Sequence, residues 1–173
     1  MPSYQPSTQT MIGYIGGGLR EETSTLANAT YLLGAGGTQT ELFNVYGRIL
    51  VLQLYLELVV AASANATTIQ FNCTFTTPVI ALNAMGAASA AITSKGQGQR
   101  IVHVGGAVAT AAVITDSAGL SDVTCVTPHI VGGYGFVGTI GIAAAAADQA
   151  SGTFRAMLHY LPYSDGAYAL AAL

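Results

Sequence analysis

The 173-residue sequence predicts an all-β fold, an antiparallel β-sandwich of jelly-roll type with an extended N-terminal arm. Three observations carry this expectation. In the longest hydrophobic segments apolar residues recur at every second position, the period of a half-buried strand. These segments are short and are separated by Gly, Asn, Asp and Pro, as strands joined by turns are. No segment carries convincing helix caps. A chain of this length fits one domain that can bury a core without disulfides or metals.

Residues 1–20 hold Pro2, Pro6, several Ser, Thr and Gln, and the run Gly16-Gly17-Gly18, a composition that supports no regular element. They read as an arm, and residues 21–173 as the sandwich body. Too poor in apolar residues to form a core, the arm is expected to order against a neighbouring subunit, with Tyr4, Tyr14 and Arg20 as its anchors.

The clearest strand spans 48–60. Leu50, Leu52, Leu54, Leu56, Leu58 and Val60 fall on one face, and Ile49, Val51, Gln53, Tyr55 and Glu57 on the other. A helical reading stays open, because Gln53 and Glu57 are four apart and Leu favours helices, but six consecutive matches to alternation favour a strand. Residues 67–75 place Ile69, Phe71, Cys73 and Phe75 on one side, with Thr68, Gln70, Asn72 and Thr74 on the other. This segment is expected to pair with the preceding strand through a turn at Ala64-Asn65-Ala66, and Pro78 to end it or hold it at an edge.

Further strands are expected at 100–104, 108–115, 123–126, 136–144 and 152–161. In the last, Phe154, Ala156, Leu158 and Tyr160 form an apolar face opposite Thr153, Arg155, Met157 and His159. Pro162-Tyr163-Ser164-Asp165-Gly166 then makes a turn before a short apolar tail. Small residues at Gly132–Gly138 and Ala143–Ala147 let sheets or subunits approach closely, although an alanine run can also form one turn of helix.

Composition narrows the function. Hydrophobic residues make up 51% and charged residues 8%, with a mean hydropathy of +0.52. An average soluble domain carries roughly 25% charge. So little charge cannot coat an isolated monomer, so an oligomer or assembly subunit is expected. The longest apolar run, 49–62, is broken by Gln53 and Glu57 and is short of the roughly 20 residues of a spanning helix. No membrane association is expected. The opening MPSYQPSTQT lacks the basic and apolar regions of a secretory signal, which makes assembly in a cytoplasm the default. The eight acidic and five basic residues, net −3, are scattered without a Lys/Arg cluster, which disfavours direct nucleic-acid binding. Cys73 and Cys125 have no ligand-spaced neighbours and read as free buried thiols.

Motifs for chemistry are missing. There is no Gly-x-Ser-x-Gly elbow, and His103, His129 and His159 stand apart. The carboxylate pairs Glu41 and Glu57, or Asp116 and Asp122, could meet only by folding accident. The glycines after Gly13 lack a Walker Lys-Ser/Thr. The sequons at Asn28, Asn65 and Asn72 read as coincidence in a Thr-rich chain. No catalytic residue, metal or cofactor is expected. A binding alternative rests on aromatics: Tyr134, Phe136, Tyr163 and Tyr168 are candidates for a surface-glycan site of a tail or receptor-binding module.

Three stretches carry a family resemblance. They are Phe43-Asn44-Val45-Tyr46-Gly47-Arg48 leading through the apolar strand to Ala64-Asn65-Ala66-Thr67-Thr68, the segment 79–91, and the ending. The ending runs from Gly138-Thr139-Ile140 through Asp148-Gln149-Ala150-Ser151-Gly152 to Thr153–Tyr160 and Pro162-Tyr163-Ser164-Asp165-Gly166-Ala167. Over residues 44–173 the chain resembles the capsid cement or decoration proteins of tailed bacteriophages. In the last strand Ala156 or Met157 stands where that pattern carries an aromatic. The resemblance implies a β-sandwich on the exterior of the virion's icosahedral shell, a homotrimer that clamps neighbouring copies of the major capsid protein.

Overall fold

A computed structural model describes residues 20–26, 40–105, 109–115, 127–144 and 152–172. Within them lie nine strands: β1 (Arg20–Leu26), β2 (Thr40–Val60), β3 (Ile69–Thr77), β4 (Val79–Ala84), β5 (Arg100–His103), β6 (Val113–Ile114), β7 (His129–Ala144), β8 (Thr153–Pro162) and β9 (Tyr168–Ala171). The described residues contain no helix. All ladders between these strands are antiparallel, so the predicted class holds. The strands join into one curled, sandwich-like sheet of order β1-β8-β2-β7-β3-β4, with β5 and β9 also on β2 and β6 on β5.

The 21-residue β2 is the spine. Along one edge it pairs first with β7, from Thr40 to Val51, and then with β5, from Leu54 to Glu57. Along the other it pairs first with β9, from Phe43 to Tyr46, and then with β8, from Ile49 to Val60. At about 3.3 Å per residue a strand this long can hold two partners in series on each side. Alternation in the sequence showed only its second half, because Asn44 and Gly47 interrupt the first.

The apolar face of β2 differs from the expected one. Leu42, Phe43, Val45, Ile49 and Val51 are buried, as are Leu54, Leu56 and Leu58, whereas Leu50 and Leu52 are half-buried and Val60 is exposed. The register with β8 slips between Val51 and Gln53. One extra residue in a strand exchanges its faces, so the core side passes from odd to even positions at Leu52. The run of evenly spaced leucines conceals this change of phase.

A second correction concerns pairing. β3 does not form a hairpin with β2 but lies between β7 and β4. Opposite the end of β2 both edges are already filled, by β5 and by β8, so the next segment must go elsewhere. The connection at 61–68 is instead held by the segment 89–95, through Ala62 N–H to Lys95 O and Ile92 N–H to Thr67 O at 2.9 and 2.8 Å. Pro78 falls at the joint between β3 and β4. The expected strands at 100–104, 108–115 and 152–161 appear as β5, β6 and β8, with β6 reduced to two residues. β7 begins seven residues before the predicted 136, its Gly-rich start having read as a loop. The predicted strand at 123–126 lies outside the described residues, as do Tyr4 and Tyr14. Arg20, assigned to the arm, is the first residue of β1, with its backbone opposite Tyr160.

The alternation read in β3 and β8 is present as predicted. Ile69, Phe71, Cys73 and Phe75 are buried, as are Phe154, Ala156, Leu158 and Tyr160. Tyr160 is fully enclosed and its hydroxyl is satisfied there, accepting from Ala169 N–H at 2.9 Å and donating to Ala169 O at 3.3 Å. A buried tyrosine is stabilising when its polar tip is paired, and here the pair ties β9 to β8.

Candidate functional site

Three places stand out: a groove at Gly47, a pair of histidines of which His103 is buried and His129 half-buried, and the outer edge at β4. The groove follows from the pairing of β2. Tyr46 and Arg48 pair with Val137 and Gly132 of β7, so one residue of β2, Gly47, faces four of β7, 133–136. On the other edge Tyr46 pairs with Tyr168 of β9 and Ile49 with Pro162 of β8, so 163–167 also loop out. Both neighbours therefore leave the sheet at the same point. Gly47 has φ +76° and Gly132 φ +83°, and a Cβ on Gly132 would strike the Gly47 carbonyl oxygen, so the crossing requires glycine.

The two loops wall an open groove of about 320 Å³, lined by Tyr46, Tyr134, Phe136, Ser164 and Asp165 among others. Its base is held in place. Tyr46 stacks on Tyr168 at 4.5 Å, and Phe136 packs edge-on against Phe75 at 5.3 Å. Ser164 Oγ accepts from Arg48 N–H at 3.0 Å, and Arg48 O accepts from Tyr163 N–H at 2.8 Å and Ser164 N–H at 3.1 Å. Tyr134, between Gly133 and Gly135, is 85% exposed. Of the glycan candidates named from sequence, Tyr134 and Phe136 line the groove, Tyr168 backs it, and Tyr163 is exposed on its turn without lining it. Tyr46 and Asp165 were missed as site residues, because only the pairing of distant strands brings them to the others.

The histidine pair sits where β7 gives way to β5 along β2. His129 opens β7 opposite Val51, and His103 closes β5 opposite Leu54. The bulge at Leu52 puts both partners on the core side, so the two rings meet at 4.8 Å, with Phe71 5.5 Å from His103. His129 Nδ1 donates to Thr127 O at 3.3 Å, while among the described residues neither Nε2 of the pair has a hydrogen-bond partner. Burial, and then the charge of His129, lower the pKa of His103 to about 4. Burial also lowers that of His129, against the opposing pull of the Thr127 carbonyl. Both rings are thus held neutral near pH 7. His159 pairs with Gln53, on the opposite face from Leu54 and His103, and its ring lies edge-on to Tyr55 at 6.2 Å.

Of the two carboxylate pairs, Asp116 and Asp122 lie outside the described residues, and Glu41 and Glu57 do not meet. Glu41 and Glu57 lie sixteen residues apart on β2, roughly 50 Å at an extended rise. Glu57 pairs with Arg100 at 3.3 Å. No group of three or more His, Cys, Asp or Glu able to hold a metal occurs among the described residues. Cys73 is a free, buried thiol whose pKa burial raises, and Cys125 lies outside the described residues. Asn72 of the third sequon is buried, its amide donating to Gln70 O at 3.3 Å.

The edge is the third feature. Among the described residues β4 ends the pairing order and is bonded only to β3. On it Val79 is 87% exposed and Ile80 is also exposed, as is Val137 of β7 across β3. No Asp, Glu, Lys or Arg occurs anywhere from Leu58 to Ser94. The chain matches no family model, no curated protein and no solved structure.

Proposed function

We propose that the chain is a structural virion protein of a tailed bacteriophage that binds the capsid exterior and bridges neighbouring copies of the major capsid protein, acting as a homotrimer without catalysis. The observation that carries this reading is the uncharged, apolar edge at β4. An exposed strand edge is a template for pairing with another chain, and proteins that live as monomers protect such edges with charge, proline or cover. Here Pro78 stands beside β4, yet Val79 points its apolar side chain into water and no charged residue lies within fifteen positions on either side. Such a surface gains by being covered, and repeated engagement on a lattice turns modest single contacts into high avidity.

The test is to add purified protein to phage heads that lack it and image them by electron cryomicroscopy. Density repeating at threefold or quasi-threefold positions is expected for the wild type, with loss of occupancy for Val79→Lys with Ile80→Lys. Bare shells under saturating protein would move the assignment to a tail or receptor-binding module, a second reading favoured by the aromatic groove.

A further inference from the structure

We propose that the groove at Gly47 is a sugar-binding site that takes a neutral pyranose unit of an oligosaccharide, held between Tyr134 and Tyr46 and hydrogen-bonded by Asp165. The groove is separate from the β4 edge, and its chemistry is the same wherever in a virion, or outside one, the protein resides.

The groove is built rather than incidental, since both strands flanking β2 loop out opposite the same residue. Its base is pinned by the Tyr46–Tyr168 stack and by the Ser164 and Arg48 hydrogen bonds. Little order remains to be imposed when a ligand enters, which lowers the entropic cost of weak, specific binding. At about 320 Å³ it is at the small end of ligand sites, room for one ring with the rest of a chain leaving through the open side.

The chemistry of the walls selects the ligand. Tyr134 extends its ring almost wholly into solvent, and the C–H face of a pyranose is an apolar surface that covers such a ring. Among the described residues neither the Tyr134 hydroxyl nor the Asp165 carboxylate has a hydrogen-bond partner. A carboxylate accepts strongly from hydroxyl groups, and a phenol both donates and accepts, which suits a ligand made of adjacent hydroxyls. Gly135 and Gly166, both at positive φ with open space around them, leave backbone polar groups accessible on the two walls. Among the described residues no Lys, Arg or His lines the groove, so phosphate, sulfate and uronate meet no counter-charge there. A cationic side chain would meet only one exposed carboxylate, an attraction that water and salt largely cancel.

The test uses the full chain. In one arm it is titrated with free glucose, galactose, rhamnose and N-acetylglucosamine and followed by saturation-transfer NMR; in the other it is passed over an immobilised panel of neutral and sulfated oligosaccharides and an arginine-rich peptide. Retention on at least one neutral oligosaccharide is expected, weakened tenfold or more by Tyr134→Ala and severalfold by Asp165→Asn, with little dependence on salt. Both positions are exposed, and unchanged far-ultraviolet circular dichroism and thermal midpoint will establish that the variants fold. Three results would overturn the proposal: retention of no neutral sugar in either arm, retention unaltered by both substitutions, or retention of the arginine-rich peptide or sulfated sugars alone. A failure here leaves capsid binding by the β4 edge intact, and loss of capsid binding leaves sugar retention intact.

Discussion

At one end of the pairing order, β1 brings Arg20, Glu21 and Glu22 alongside β8, which carries Arg155. At the other, β7, β3 and β4 together contain no Asp, Glu, Lys or Arg. β8 and β3, each one strand in from an end, are built by the same rule, alternating apolar residues packed on a shared core that includes Phe154 and Phe71. The difference teaches that charge is not what packs β3 and β8 on the core. It separates the two terminal strands instead, and an exposed edge strand without charge is the one suited to a partner.

The largest effects should be equal at the two ends. Phe71→Ala and Phe154→Ala each remove a fully buried ring, and each is expected to cost about 3–5 kcal/mol in urea unfolding. A much smaller loss for Phe71 would mean that the uncharged end is loosely packed in the free chain and completes its core only on its partner.

Acid should distinguish the ends. His103 lies beside the uncharged half, and its pKa falls from 6.5 in the unfolded chain to about 4 in the fold. The folded state therefore binds this proton less well than the unfolded state. The contribution to stability is complete above pH 6.5, declines as pH falls, and is lost below about 4, a total of about 3 kcal/mol. His129 shifts in the same direction and adds to the decline. Unfolding free energies measured from pH 7.5 to 4 should drop more steeply for wild type than for His103→Phe, and parallel curves would remove the pair as the cause.

Smaller effects belong to the surface. Glu57→Gln breaks a half-exposed ion pair with Arg100, whose guanidinium also lies 5.0 Å from the Tyr55 ring centre, and should cost under about 1 kcal/mol, less at high salt. Val79→Lys with Ile80→Lys should change stability by no more than about 0.5 kcal/mol. The same pair should reduce self-association in sedimentation velocity, which would move the charge asymmetry from description to mechanism. Unaltered association would place the subunit contact elsewhere.

The legible parts of this molecule are those set by local alternation. β3 and β8 declared their buried faces, and the turn at 162–166 declared itself by Pro, Ser, Asp and Gly. What stayed hidden depends on distant partners. The phase change at Leu52 is invisible because leucine occupies both candidate faces. The exclusion of β3 from β2 depends on β5 and β8 having taken both edges. Tyr134 and Phe136 could be suspected as exposed aromatics, but Tyr46 and Asp165 join them only because β7 and the β8–β9 turn loop out at one residue. His103 and His129 are 26 residues apart, and only the end-to-end arrangement of β5 and β7 brings their rings together.

The spine strand also sets when the molecule can fold. β2 is bonded to β5, β7, β8 and β9, all of which follow it in the chain, and β1 is bonded to β8. As the chain leaves the ribosome, the edge of Leu42 to Leu58 that takes β8 and β9 must therefore wait unpaired until residues 153–171 have been synthesised. Pairings between such distant segments form slowly, on the scale of milliseconds to seconds. During that interval the nascent protein is a natural client for holdase chaperones, and neighbouring chains on one polysome are each exposed to the other's longest strand.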